Sequence, residues 1–106
     1  MKNTFPATDS LKELQDYIWQ MNIERGFSQE APSEKLLMVM EEVGELAKAI
    51  RQHIGMKFSD TTKKAELEEE LADVQILLLG LASLTQVDMF EAVRAKEAKN
   101  NLRIWK

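Results

Sequence analysis

An all-α fold is what this chain predicts, and three observations carry that expectation. Only four Gly and two Pro occur in 106 residues, too few for a turn-rich β fold. Apolar residues recur at spacings of three and four over long stretches. Capping residues stand where those stretches begin. Four helices with short links result, and a four-helix bundle is the architecture they form most directly.

The first helix is expected to open at Ser10, with Glu13 three residues on as its capping-box partner. Leu11, Leu14, Tyr17, Ile18 and Met21 then keep a helical period to about Glu24. Gly26 stops it, and the stretch to Pro32 reads as a loop. A second helix runs from about Ser33 to Ile54, with the apolar arc Leu36, Val39, Met40, Val43, Ala47 and Ile50, and with Gly55 as its C-cap.

A polar connection, Met56 to Thr62, leads to a third helix from about Thr62 to Thr85. Its first half is heavily charged. From Val74 to Leu84 it is apolar nearly all round, the pattern of a helix covered from several directions. Asp88 with Glu91 forms a second capping box and opens a fourth helix at about Met89. That helix passes through Phe90, Val93 and Ala98 to end near Asn101. So small a chain has little material to cover its third helix, which points to a homodimer or homotetramer. Residues 1–106 show no internal repeat and read as one domain.

Composition narrows the function. Hydrophobic residues at 44% and charged ones at 30% describe a globular chain rather than a disordered one. The absence of Cys excludes disulfides and thiolate zinc sites. A net charge of −4 gives no general attraction to extended nucleic acid. The first residues lack the apolar stretch of a signal peptide, and the longest apolar run, Ile76 to Ala82, falls far short of the ~20 residues that span a bilayer. A cytoplasmic protein with no membrane partner is expected.

Two acidic clusters interrupt the core pattern: Glu41-Glu42-Val43-Gly44-Glu45 and Glu69-Glu70-Leu71-Ala72-Asp73. Carboxylates three apart share a helix face. On the third helix Glu66, Glu70, Asp73, Leu77 and Leu84 make one stripe, so leucines that pack inward carry the acids inward. Glu42 borders the apolar arc, whereas Glu45 lies further round. Acids brought together repel, lose solvation, and each binds a proton or a cation. Carboxylate oxygens are hard ligands that suit Mg²⁺ or Mn²⁺, and Mg²⁺ commonly bridges to substrate phosphates.

A hydrolase of a phosphate-rich small molecule is one reading. The other is a pair of solvated faces, with Glu41 and Glu45 near Lys48. Spacing alone does not choose between them. A ferritin-like di-metal bundle would need Glu-x-x-His pairs, and neither cluster supplies the histidine.

At these residues the chain resembles the MazG-type all-α nucleoside triphosphate pyrophosphohydrolases, a group related to the dimeric dUTPases and the dCTP pyrophosphatases. The family's E-E-x-x-E is Glu41-Glu42-Val43-Gly44-Glu45, and its E-x-x-D is Glu70-Leu71-Ala72-Asp73, with 24 residues between Glu45 and Glu70. Val87-Asp88-Met89-Phe90-Glu91-Ala92-Val93 matches too, followed by Lys96, Asn100 and Arg103. The likeness covers about residues 10–104. Both motifs in order, with the downstream set, make it fairly specific.

The resemblance implies cleavage of a deoxy or non-canonical nucleoside triphosphate between the α and β phosphates, releasing a monophosphate and pyrophosphate, as a housecleaning activity. It implies Glu42, Glu45, Glu70 and Asp73 as ligands for Mg²⁺, with Mn²⁺ able to substitute. Glu41, Glu42 and Glu45 are the implied catalytic acids. Among them Glu41 orients or deprotonates the attacking water, or completes a second metal's shell.

Lys96, Asn100 and Arg103 share one helix face and correspond to positions that reach the triphosphate. Taken without the family, they are cations complementing a helix dipole. Asn101-Leu102 stand where relatives often carry further basic residues. Trp19 stacks on a base or packs in the core, Trp105 is read as a packing residue, His53 as a surface residue and Phe58 as part of a lid. The alternative function is a non-catalytic nucleotide- or protein-binding module with a regulatory role.

Overall fold

Ser10 starts the first helix by the expected route. Its Oγ accepts the Glu13 N–H at 3.2 Å, and the Glu13 carboxylate takes the Thr8 hydroxyl. In the computed structural model, which describes residues 3–53 and 61–103, this helix is α1, Leu11–Glu24. It closes in a Schellman motif: Phe27 N–H reaches Asn22 O at 2.7 Å, and Gly26 takes φ 80°. The second helix, α2, is Pro32–His53, one residue earlier than expected because Pro32 is suited to a first helical position. Glu34 Oε1 accepts the Ala31 N–H at 3.0 Å and so satisfies a donor at that end.

The third helix, α3, is Thr61–Leu84, and the fourth, α4, is Met89–Asn101. A second Schellman motif ends α3, with Val87 N–H on Ala82 O at 2.7 Å and Gln86 at φ 61°. Here a non-glycine residue holds the left-handed position, which the sequence does not advertise. Asp88 caps α4 through Glu91 N–H at 3.1 Å. No strand occurs among the described residues, and no helix there is long and apolar enough to cross a membrane. The expected Gly55 cap, Ile54, the connection through Phe58, and Trp105 lie outside the described residues, as does the His53 side chain.

α3 is the centre of the fold, with α2 and α1 packed against it. Ile18 of α1 and Leu79 of α3 are the most deeply buried large side chains. Three polar residues, Gln15, Asn22 and Lys35, are buried among them. Gln15 earns its place by hydrogen bonding: its Nε2 donates to Val87 O at 2.7 Å and Ser83 Oγ at 3.1 Å, while its Oε1 accepts the Met89 N–H at 3.0 Å. One amide thus pins the end of α3 to the start of α4. At Gly80 α1 comes close against α3, since a Cβ there would lie 3.0 Å from Asn22 Nδ2.

Lys35 Nζ meets Glu30 Oε1 at 2.7 Å, with the lysine side chain 4% exposed and the glutamate 24%. Removing the two partners has unequal consequences. Glu30→Ala leaves a buried cation unpaired and is expected to cost about 2–3 kcal/mol, below the fully buried range because Glu30 is partly solvated. Lys35→Met leaves a carboxylate that water can reach, so it costs less. Urea denaturation of both variants checks the order, and equal losses would contradict it.

The inward face of α2 differs from the expected one. Lys35, Val39, Glu42, Leu46 and Ala49 are the residues buried or half-buried, at spacings of four, three, four and three. Of the expected apolar arc only Val39 is buried. Leu36 (50%), Met40 (60%), Val43 (41%) and Ile50 (44%) are exposed. Each lies one position along from an inward residue, which turns it about 100° round the helix. The more apolar stripe therefore faces outward, and the stripe carrying Glu42 faces α3. The upper half of α3 is likewise not covered all round, because Ile76 and Leu78 remain more than a third exposed.

α4 departs from the antiparallel set. Its axis turns 94° from that of α3, its main contact is with α1, and none of its residues is buried. The radius of gyration is 16.3 Å, where a compact domain of this length has about 13 Å. The surface of 8169 Å² exceeds the roughly 6,100 Å² of a monomer of this mass.

Candidate functional site

Antiparallel pairing of α2 with α3 sets the two acidic motifs side by side. Glu42, on the inward face of α2, meets Glu70 and Asp73 of α3, and each offers an oxygen within 4.8 Å of the others. Glu42 and Glu70 are half-buried and Asp73 is exposed. The group is therefore shielded on one side and open to water on the other.

Glu70 bears the strain of this arrangement. Its Oε2 is buried with no hydrogen-bond partner. Burial pushes its carboxyl above the ordinary range first, followed by the charges of Glu42, Asp73 and Glu45, and last by the contact with Glu42 that protonation turns into a hydrogen bond. A divalent cation would relieve each of these at once, supplying a partner for Oε2 and cancelling the repulsion. The donors are all carboxylate oxygens, so the set fits a hard cation rather than a thiolate or imidazole metal.

Glu45 lies beside this group rather than in it, close enough for its charge to act on Glu70. Glu41, Glu45, Lys48 and Gln52 follow one another at four, three and four on the exposed flank of α2. Beyond Glu45 and Glu70 opens a cavity of about 210 Å³, lined by Glu45, Lys48, Ala49, Gln52, Glu66, Glu69 and Glu70. Sequence reasoning did not single out Gln52; it placed Lys48 only as a neighbour of Glu41 and Glu45, and Glu69 only within its acidic cluster. The signal was available, since Glu42, Glu45, Ala49 and Gln52 step along α2 at three, four and three.

The expected substrate residues of the C-terminal end stand apart from the acids. Trp19 is half-buried on α1. On α4, Lys96 is exposed and half-buried Asn100 donates to Glu97 Oε2 at 3.5 Å, whereas exposed Arg103 lies past the helix end at Asn101 and so off the helix face expected to carry it. Ten residues of α3 separate Asp73 from Leu84, and α4 then leaves at 94°. Lys96 and Asn100 are thereby placed about 20 Å or more from the acid group. Within one chain the two sets do not meet.

The model of the MazG nucleotide pyrophosphohydrolase domain matches residues 30–104. A dATP/dGTP diphosphohydrolase of Cyanophage S-2L is 36% identical over 102 residues, covering 94% of this chain and 80% of the phage protein. The dCTP pyrophosphatase 1 of Bos taurus is 30% identical over 105 residues, and that of Mus musculus 32% over 104. This chain spans less than two thirds of the mammalian proteins, 62% and 61% of their lengths.

Proposed function

This chain belongs to the MazG nucleotide pyrophosphohydrolase family and is a nucleoside triphosphate pyrophosphohydrolase, and we propose that it is a Mg²⁺-dependent housecleaning enzyme of the cytoplasmic deoxynucleotide pool. Enzymes of this type depend on a metal, and one observation carries the assignment of its place. Glu42, Glu70 and Asp73 converge within 4.8 Å around a buried carboxylate oxygen that has no partner. In this reading those three hold the ion and Glu45 completes the set from the side. Mg²⁺ bound there would withdraw charge from the phosphates and stabilise the departing pyrophosphate.

The chain's own groups supply the rest. Glu45 and Glu41 stand on the open flank of α2, where a carboxylate can orient water and accept its proton as the α-phosphorus is attacked. The bond to the bridging oxygen breaks, and monophosphate and pyrophosphate leave. Substrates named for the relatives are dATP, dGTP and dCTP, which supports a deoxynucleoside triphosphate here. Incubating the protein with a nucleotide panel and Mg²⁺, and identifying both products, tests the activity. Folded protein that binds nucleotide tightly but releases no pyrophosphate would instead indicate a regulatory binding module.

A homo-oligomer belongs to the same proposal. Leu36, Met40, Val43, Ala47 and Ile50 form an exposed seam along α2 at four, three, four and three, the spacing of helices that pack side by side. The surface in excess of a monomer's, roughly 2,000 Å² per chain, is more than a standard interface requires. In this reading the triphosphate contacts of Lys96, Asn100 and Arg103 come from a neighbouring chain, since one chain alone does not bring them to the acids. Sedimentation should give a multiple of 12.2 kDa. Met40→Lys with Val43→Lys should reduce it to a single chain, and an unchanged mass would remove α2 from the interface.

A further inference from the structure

We infer that the cavity beside the acid group takes the nucleobase and selects bases carrying an exocyclic amino group, with Glu69 and Gln52 as the specificity residues. The inference rests on the pyrophosphohydrolase reading and deepens it.

Position is the first argument. The cavity shares Glu45 and Glu70 with the acid site and extends away from it toward Gln52. Glu45 and Gln52 are seven residues apart on α2, about 10 Å along the axis, which is the scale of a nucleoside. Ala49, 7% exposed, lies between them with a side chain small enough to leave the floor open. At about 210 Å³ the space suits a base rather than a whole nucleotide.

Charge is the second. Beyond Glu45 and Glu70, which belong to the metal site, Glu66 and Glu69 line the cavity, so the triphosphate stays at the metal and the neutral end of the substrate is the part that enters. Among the described residues Lys48 is the one cation of the lining, and it sits a turn nearer than Gln52 to the phosphate side.

Hydrogen-bond direction is the third. An ionised carboxylate only accepts, so Glu69 is matched by an amino N–H and opposed by a carbonyl lone pair. Gln52 offers both an acceptor and a donor, the pairing that reads an amino group beside a ring nitrogen. Cytosine and adenine present that pattern. Uracil and hypoxanthine carry oxygen where those two carry the amino group.

The test compares two pairs in which oxo replaces amino and the adjacent ring nitrogen changes from acceptor to N–H donor: dCTP with dUTP, and dATP with dITP, each with Mg²⁺. The amino member is expected to have kcat/KM ~10-fold or more above its oxo partner. Glu69→Gln adds a donor and is expected to compress both ratios about five-fold, chiefly by raising kcat/KM for dUTP and dITP. Gln52→Leu should lower both amino members more than their partners. Each ratio is internally controlled for the amount of folded enzyme. Equal kcat/KM within the wild-type pairs, or ratios unmoved by both substitutions, overturns the inference while pyrophosphate release stands. Release from none of the four overturns the functional reading, and the inference with it.

Discussion

Glu42→Gln and Asp73→Asn are each expected to lower kcat for pyrophosphate release by about three powers of ten, a loss of ~4 kcal/mol in transition-state stabilisation. Both replacements keep the size of the side chain and remove the charge. Asp73 is exposed and Glu42 only half-buried, so neither change opens a cavity, and circular dichroism should show an unaltered helical fold. The loss arises because three carboxylates around one point hold a divalent cation far better than two. Full turnover in both variants would place the metal elsewhere.

Glu70→Gln is expected to raise the melting temperature of the metal-free protein at neutral pH by a few degrees while abolishing most of the stabilisation by Mg²⁺. The cause is the raised pKa of Glu70, set first by burial and then by Glu42, Asp73 and Glu45. The folded state holds this proton more tightly than the unfolded chain does. The group's contribution to stability is therefore complete below its ordinary value of 4.5 and is lost as pH rises through the raised value. Gln cannot ionise, so the variant escapes that loss at neutral pH, and the two proteins converge on acidification. Added Mg²⁺ stabilises wild type by binding the folded state alone. Thermal melts with and without Mg²⁺, at neutral and acidic pH, check all four corners. A variant that melts no higher without metal, yet gains as much with it, would contradict the role given to Glu70.

Particular residues show where legibility ended. Ser10, Gly26 and Asp88 announced helix boundaries because a cap is a contact between residues two to five apart. Gln86 announced nothing, since a non-glycine residue in the left-handed position of a Schellman motif leaves no mark in the sequence. The Glu70 stripe was readable in part: Glu70, Leu77 and Leu84 are half-buried on one face, whereas Glu66 and Asp73 are exposed. On α2 the reading failed for a definite reason. The helix carries two adjacent stripes at the same spacing, and hydrophobicity favoured the one that faces outward.

Local order was therefore written in the chain itself: four helices, most of their ends, and the two acidic motifs, all of which depend on neighbours within a few residues. Tertiary structure alone decided how far each helix is turned about its axis, that Glu42, Glu70 and Asp73 converge while Glu45 stands aside, that a cavity opens toward Gln52, and that α4 leaves at 94°. Rotating a helix by one residue changes none of its internal hydrogen bonds. Only the partner across the interface distinguishes one rotation from the next.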